Sequence, residues 1–215
     1  MKDQPHLEPS KTALLVIDMQ RDFLQPEGYA AHAGLDIEGL RKAINPIAQL
    51  LAVARGSGML VIHTREGHLP DLSDCSAVKL ERSRRAGAEI GAAGPLGRLL
   101  VRGEYGHDFI DELTPVSGEA IFDKPGYSAF ENTELDALLR ERDIEYLLIA
   151  GVTTEVCVSS TLRTAVDRGY RCTTISDACA SAYPELHEAT LAMIAVEGGI
   201  LGDVKTTMDI IASLQ

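Results

Sequence analysis

The chain has 215 residues, 32 acidic against 20 basic side chains, a formal charge of −12 at pH 7 and 45% hydrophobic residues. This ordinary apolar fraction excludes disorder, and the acidic balance excludes a nucleic-acid partner, because phosphate neutralisation needs clustered Lys and Arg. No apolar run approaches the ~20 residues of a membrane span, no leader is read, and the cysteines form no CxxC pair, so a cytoplasmic, reduced location is expected.

Residues 1–11 are polar with Pro5 and Pro9 and are expected to form a loose arm, leaving 12–215 as one domain. The apolar runs 13–17, 59–62, 120–122, 146–150 and 172–175 read as strands, with 200–204 as a sixth. Stretches 37–55, 133–142, 156–168 and 184–197 carry helical periodicity, and 206–214 reads as a last short helix. Pro46 kinks or restarts the first of these, and Gly56, Gly58 and Gly169 mark helix ends. Such alternation predicts a doubly wound α/β fold: a mostly parallel six-stranded sheet with helices on both faces.

The segment 63–105 is long, irregular and rich in Gly and charge. A connection of that length in a compact domain is more often a binding segment, a lid or a subunit arm than an idle loop. Its basic cluster at 79–85, interrupted by Glu81, reads as a solvated helical face or a subunit contact.

In such sheets ligands bind at the carboxyl ends of strands. The first strand runs into Asp18-Met19-Gln20-Arg21-Asp22-Phe23, the second into His63-Thr64-Arg65-Glu66-Gly67-His68, and the third into Asp123-Lys124-Pro125-Gly126-Tyr127. The fourth runs into Gly151-Val152-Thr153-Thr154-Glu155-Val156-Cys157, where a helix begins. A cysteine in the first turn of a helix gains thiolate character from the dipole, yet small buried hydrophobe is an equally ordinary role for it. Asp18 could cap a helix, and Lys124 could be a surface charge. Together, however, a thiol, a cation and a carboxylate form a coherent set for nucleophilic acyl transfer.

At this point the chain resembles the isochorismatase-like cysteine hydrolases, the nicotinamidase-related amidohydrolases. The matching pieces are Ile17-Asp18-Met19-Gln20-Arg21-Asp22-Phe23, Asp123-Lys124-Pro125-Gly126-Tyr127-Ser128-Ala129-Phe130, and residues 151–161 around Cys157. The resemblance implies a catalytic triad of Asp18, Lys124 and Cys157, a cis peptide between Val152 and Thr153, and an oxyanion hole from the N–H groups of Thr153 and Cys157. It also implies a homo-oligomer, dimer or tetramer, and no cofactor. Nicotinamidases of this superfamily hold a metal with an Asp-x-His motif. Here Asp36-Ile37-Glu38 lacks that histidine, so no metal is expected.

The segments 63–72, 94–98, 101–104 and 167–170 resemble the biuret hydrolase branch and imply a small ureido or carbamoyl amide, such as biuret or triuret. Another small amide or a ureidoacrylate-like compound is the alternative. Glu197 stands where that branch has a glutamine that binds substrate, which would favour an N–H-bearing end and repel a carboxylate. Further wall candidates are Phe23, Gln20, Tyr127 and Tyr183, with Gln20 able instead to orient Asp18 or cap a helix. Arg65 and Glu66 contact substrate or form an ion pair that fixes the loop. His187 reads as a surface or interface residue. Two rivals share the fold: a dinucleotide binder, disfavoured because no glycine-rich turn follows the first strand, and a catalytically silent partner-binding domain.

Overall fold

The run Thr12–Ile17, buried at every position, forms the first strand and a centre of the sheet. In the computed structural model, which describes residues 7–214, the strands are β1 (Thr12–Ile17), β2 (Leu60–Glu66), β3 (Ala120–Lys124), β4 (Tyr146–Val152), β5 (Arg171–Ala180) and β6 (Asp203–Lys205). Their order is β3-β2-β1-β4-β5-β6, and every pairing is parallel. This doubly wound order reverses direction between β1 and β4, the crevice where such sheets bind ligands.

Side chains alternate along β1. Leu14 and Val16 enter one core with α1 (Ile44–Ser57) and α6 (Thr207–Ser213), whereas Ala13, Leu15 and Ile17 enter the other with α3 (Leu135–Glu141) and α4 (Ser159–Asp167). The remaining long helices are α2 (Ala77–Arg85) and α5 (Pro184–Ile194).

Pro46 restarts the first helical stretch: a short helix Ile37–Arg41 ends, and α1 begins with Pro46 in its first turn, where a missing N–H costs no intrahelical bond. Gly58 closes α1 in the left-handed region, but Gly56 lies inside the helix. β2 and β3 run further than their apolar cores, so His63, Thr64, Arg65, Glu66, Asp123 and Lys124 are strand residues rather than loop residues. Paired registers explain the extension, since Arg65 faces Asp123 and Glu66 faces Lys124. β5 likewise continues through polar Ser176 and Asp177, with a register shift against β4 between Ile149 and Gly151.

The expected arm at 1–11 is corrected in its described part. Leu7 is buried in the core and Pro9–Lys11 form a 3-10 turn; residues 1–6 lie outside the described residues. The segment 63–105 is more regular than its composition suggested. After β2 it holds α2, whose N-cap Ser76 accepts from the Lys79 N–H, and a short hairpin of Ala93–Gly94 with Gly97–Arg98. Asp22 ties that segment to β1 by accepting from the Leu100 N–H at 2.9 Å. Among the described residues no helix is long and apolar enough to cross a membrane.

Candidate active site

Three strand ends meet at the crevice between β1 and β4. Asp18, the residue after β1, adopts φ 54°, a left-handed value that Asp tolerates better than most side chains. That turn aims its carboxylate inward. Thr64 Oγ1 donates to Oδ1 at 2.6 Å, and Lys124 Nζ lies 2.7 Å from Oδ2. Gly151 makes this approach feasible: a Cβ on it would collide with the Ile17 carbonyl oxygen, so only glycine lets β4 end this close to Asp18.

Lys124 is fully buried at the end of β3. Its ammonium lies 3.5 Å from Cys157 Sγ and 3.6 Å from Glu66 Oε2, and donates to the Gly126 carbonyl at 3.1 Å. Burial alone would lower such an amine, but Asp18, Cys157 and Glu66 surround it and hold its pKa above the ordinary lysine value. Asp18, Glu66 and Cys157 bring their oxygen and sulfur atoms within 4.8 Å of one another, a spacing that could hold a cation. The Lys124 ammonium supplies that positive charge itself.

Cys157 sits in a π-helical turn, Thr154–Val158, that precedes α4, rather than in the first turn of an α-helix. Its Sγ donates to Glu66 Oε2 at 3.2 Å. Burial raises the thiol well above its ordinary pKa, and Asp18 and Glu66 add to this against the pull of Lys124. These surroundings favour the thiol, against the thiolate character expected from a helix dipole. Burial also raises Asp18, with Lys124 pulling the other way and Glu66 adding to the rise. Glu66 is the opposite case: despite burial, Lys79 and Lys124 hold its carboxyl down at about 2. Lys79 Nζ is 2.6 Å from Glu66 Oε1 and also donates to the Pro125 carbonyl.

Above this cluster opens a cavity of about 410 Å3, a volume suited to a small ligand. Thr153, Cys157, Glu66, Phe23, Tyr127 and Tyr183 line it, all of them singled out from sequence. The Val152–Thr153 peptide is cis. Phe23 is buried edge-on against Tyr29, with ring centroids 5.9 Å apart, and Tyr127 carries Lys79 Nζ 5.0 Å above its ring.

Three candidate substrate contacts lie outside the cavity, and for Arg65 the expected alternative, an ion pair that fixes the loop, is the one found. Gln20 is fully buried, and its amide is used on backbone: it donates to the carbonyls of Glu66 (3.0 Å) and His107 (2.8 Å) and accepts from the Glu66 N–H (2.7 Å). It therefore positions Glu66 instead of touching the cavity. Arg65, the neighbour of Glu66 on β2, points to the other side of the strand and pairs with Asp123 (2.7 Å) and Asp108 (3.0 Å). Glu197 is exposed in a left-handed turn beyond α5 and does not line the cavity. His187, expected at the surface, bonds through Nδ1 to Thr154 Oγ1 at 2.8 Å and steadies the turn that carries Cys157.

Sequence reasoning missed Tyr29 and the contribution of α2, whose Lys79, Arg82 and Ser83, with the C-cap residue Ala86, form one cavity wall. The signal was present. These positions fall at i, i+3, i+4 and i+7, one helical face, and that face mixes small and basic residues where a solvated one would be charged throughout.

Comparison with known proteins agrees with this geometry. The isochorismatase domain family matches residues 12–206. The ureidoacrylate amidohydrolase RutB of Caulobacter segnis is 37% identical over 214 residues, covering 94% of this chain and 85% of that protein. A cysteine hydrolase from Pseudomonas syringae pv. phaseolicola superposes with a TM-score of 0.82 at 30% identity, covering 100% of this chain and 98% of that one. N-carbamoylsarcosine amidase from Thermoplasma acidophilum does so with a TM-score of 0.69 at 26% identity, over 92% and 96% of the two chains. RutB represents a branch related to the biuret hydrolases that the loop segments resemble. With its parallel six-stranded sheet and the domain match running from β1 to the start of α6, the chain belongs to the isochorismatase family of hydrolases.

Proposed function

We propose that this protein is a cysteine-dependent amidohydrolase that cleaves a C–N bond of a small ureido amide through a thioester. The observation that carries the reading is the Lys124 ammonium, fully buried and within 3.6 Å of Asp18, Cys157 and Glu66 at the floor of the cavity. Burying so many charges at one point costs several kcal/mol, a cost that a silent binding domain has no reason to bear.

In this mechanism the ureido carbonyl carbon lies against Cys157 Sγ, and Asp18 takes the thiol proton as the sulfur attacks. Lys124 compensates the charge during that transfer. The N–H groups of Thr153 and Cys157 receive the oxyanion of the tetrahedral intermediate, a contribution of ~3–4 kcal/mol per donor in comparable sites. Glu66, an acceptor only, receives the ureido N–H. The C–N bond then breaks, and the departing nitrogen takes the proton from Asp18, leaving as ammonia or a small amine. Water next gives a proton to Asp18 and attacks the thioester, and the proton returns to the sulfur as the carbamic or carboxylic acid is released.

Biuret and triuret fall within this class. A ureidoacrylate-like compound is the alternative that the 37% identical relative favours, through the substrate in its name. An ammonia-release panel over biuret, triuret, 3-ureidoacrylate and nicotinamide tests the reading. Ureido turnover is expected, with a thioester adduct in intact-mass spectra that is lost in Cys157→Ala. Turnover confined to nicotinamide, or persisting in Cys157→Ala, would overturn it.

The proposed assembly is a homo-oligomer, dimer or tetramer. Exposed Leu186, Met193, Val196 and Ile200 on and after α5 support it, and sedimentation velocity tests it.

A further inference from the structure

Four basic residues lie on α2: Lys79, Arg82, Arg84 and Arg85. Three have carboxylate partners, Lys79 with Glu66, Arg84 with Glu89 and Arg85 with Glu81. Arg82 is the one that lines the active-site cavity without a partner: among the described residues its guanidinium makes no ion pair and no hydrogen bond. In a chain with 32 acidic side chains, a cation at a cavity wall with no carboxylate on it is a site left open.

The neighbours narrow what could fill it. Lys79 is committed to Glu66 and the Pro125 carbonyl, and Ser83 Oγ to Leu80 and Ile90 backbone, so neither is free for a ligand. Tyr29, Tyr127, Tyr183, Phe23, Leu35 and Ile90 make the rest of the wall aromatic or aliphatic. Glu66, the acid of this wall, is next to the thiol, whereas Arg82 lies one turn of α2 beyond Lys79. The cavity is therefore polarised, with an N–H acceptor beside the nucleophile and a free planar cation further out.

We propose that Arg82 binds a carboxylate at the far end of the substrate, so that the protein selects ureido acids over neutral ureas. This inference rests on the ureido amidohydrolase reading above and specifies its substrate class. A guanidinium meets a carboxylate through two parallel N–H···O bonds, which fixes the substrate's direction as well as its charge. The pairing also answers the protein's own field. A net charge of −12 repels anions at long range, so an acid substrate needs a dedicated cation near the nucleophile. The selectivity expected from Glu197 is reversed, because that carboxylate lies outside the cavity.

The test compares 3-ureidopropanoate with 3-ureidopropanamide, which differ in the terminal charge and share the ureido end. Arg82→Gln should raise KM for the acid about tenfold or more with kcat nearly unchanged, the pattern of lost uniform binding, and leave the amide's KM as it was. Arg82→Lys should recover part of the loss. Calorimetric binding to Cys157→Ala, with and without Arg82→Gln, gives a readout independent of turnover, in which the acid should bind about tenfold tighter than the amide only while Arg82 is present. Equal binding of the two compounds, or a parallel change for both in Arg82→Gln, would overturn the proposal. Ammonia release from both with no dependence on Arg82 would sink this inference and leave the hydrolase reading intact. Arg82-dependent binding of the acid without any ammonia release would do the reverse.

Discussion

Glu66 accepts the S–H of Cys157 at 3.2 Å, a pairing that favours the thiol over the thiolate. Buried and facing two carboxylates, the thiol lies well above its ordinary pKa even with Lys124 3.5 Å away. Iodoacetamide should therefore label Cys157 slowly at pH 7 and faster as pH rises. Glu66→Gln removes one anion and should speed labelling at pH 7 by about tenfold, one pKa unit of relief. Ammonia release should fall in the same variant, because Lys79 loses its anchor. Timed alkylation read by peptide mass spectrometry measures the first effect. Unchanged labelling would mean that Glu66 does not set the charge of the thiol.

Lys124 holds the buried cluster together as much as it serves chemistry. Lys124→Met keeps most of the volume but leaves Asp18 and Glu66 buried without their shared cation. Removing one partner of such a group costs about 3–5 kcal/mol. In a chain of this size that corresponds to a fall in Tm of roughly 10 °C, with activity lost outright. Differential scanning calorimetry at pH 7 measures it. A variant as stable as the parent would show that the two carboxylates take up protons at no cost.

Gly151 and Gly169 separate backbone strain from steric closure. Both have positive φ, 121° and 90°, but a Cβ on Gly169 meets nothing within 4 Å, whereas one on Gly151 runs into Ile17. Gly169→Ala should cost about 1 kcal/mol from conformation alone. Gly151→Ala should cost more and should push β4 from β1, separating Cys157 from Asp18. Urea unfolding and turnover of the two variants side by side check this. Equal losses would remove the claim that close approach matters at Gly151.

Much of this was legible in the sequence, for physical reasons that also mark where legibility ended. Strand cores such as 13–17 and 146–150 are apolar because both faces of a central parallel strand are covered, and that alone gave the architecture. That Asp18, Lys124 and Cys157 would meet at one rim followed from the rule that ligands bind at strand ends, sharpened by motif resemblance. Glu197 was misplaced, and for Arg65 and Gln20 the choice between substrate contact and a structural role stayed open for a different reason. Which side of β2 Arg65 faces depends on a strand running four residues past its apolar run, and that extension comes from pairing with β3 rather than from local propensity. Gln20 looked like a polar wall residue because its backbone partners, at Glu66 and His107, are 46 and 87 residues away. Lys79 and Arg82 were hard to place because the basic content of 79–85 outweighs the small residues, Ser83 and Ala86, that share their face.

Acid sensitivity should reveal a buried histidine outside the site. His107 is almost fully buried, its Nε2 has no hydrogen-bond partner, and it packs against Gly67. Burial lowers its pKa to about 4, against the attraction of Asp123, with Arg65 and Arg102 adding to the fall. The sign follows from proton counting. Between about pH 6.5 and pH 4 the unfolded chain protonates this ring and the folded chain does not, so stability falls as pH falls through that window. A shift of this size corresponds to on the order of 3 kcal/mol. Glu66 acts lower down. With its carboxyl at about 2 against an ordinary 4.5, its contribution is complete above 4.5 and is lost as pH drops toward 2. Asp18 has the opposite sign, because its raised carboxyl favours folding at low pH and gives that up as pH rises past 3.8. Urea midpoints measured at pH 7, 5.5 and 4.5 should therefore decline in the parent protein. His107→Gln should flatten that decline, leaving the share of His63 and His68, whose pKa values burial also lowers. An unchanged slope in the variant would place the acid sensitivity with those two histidines instead of His107.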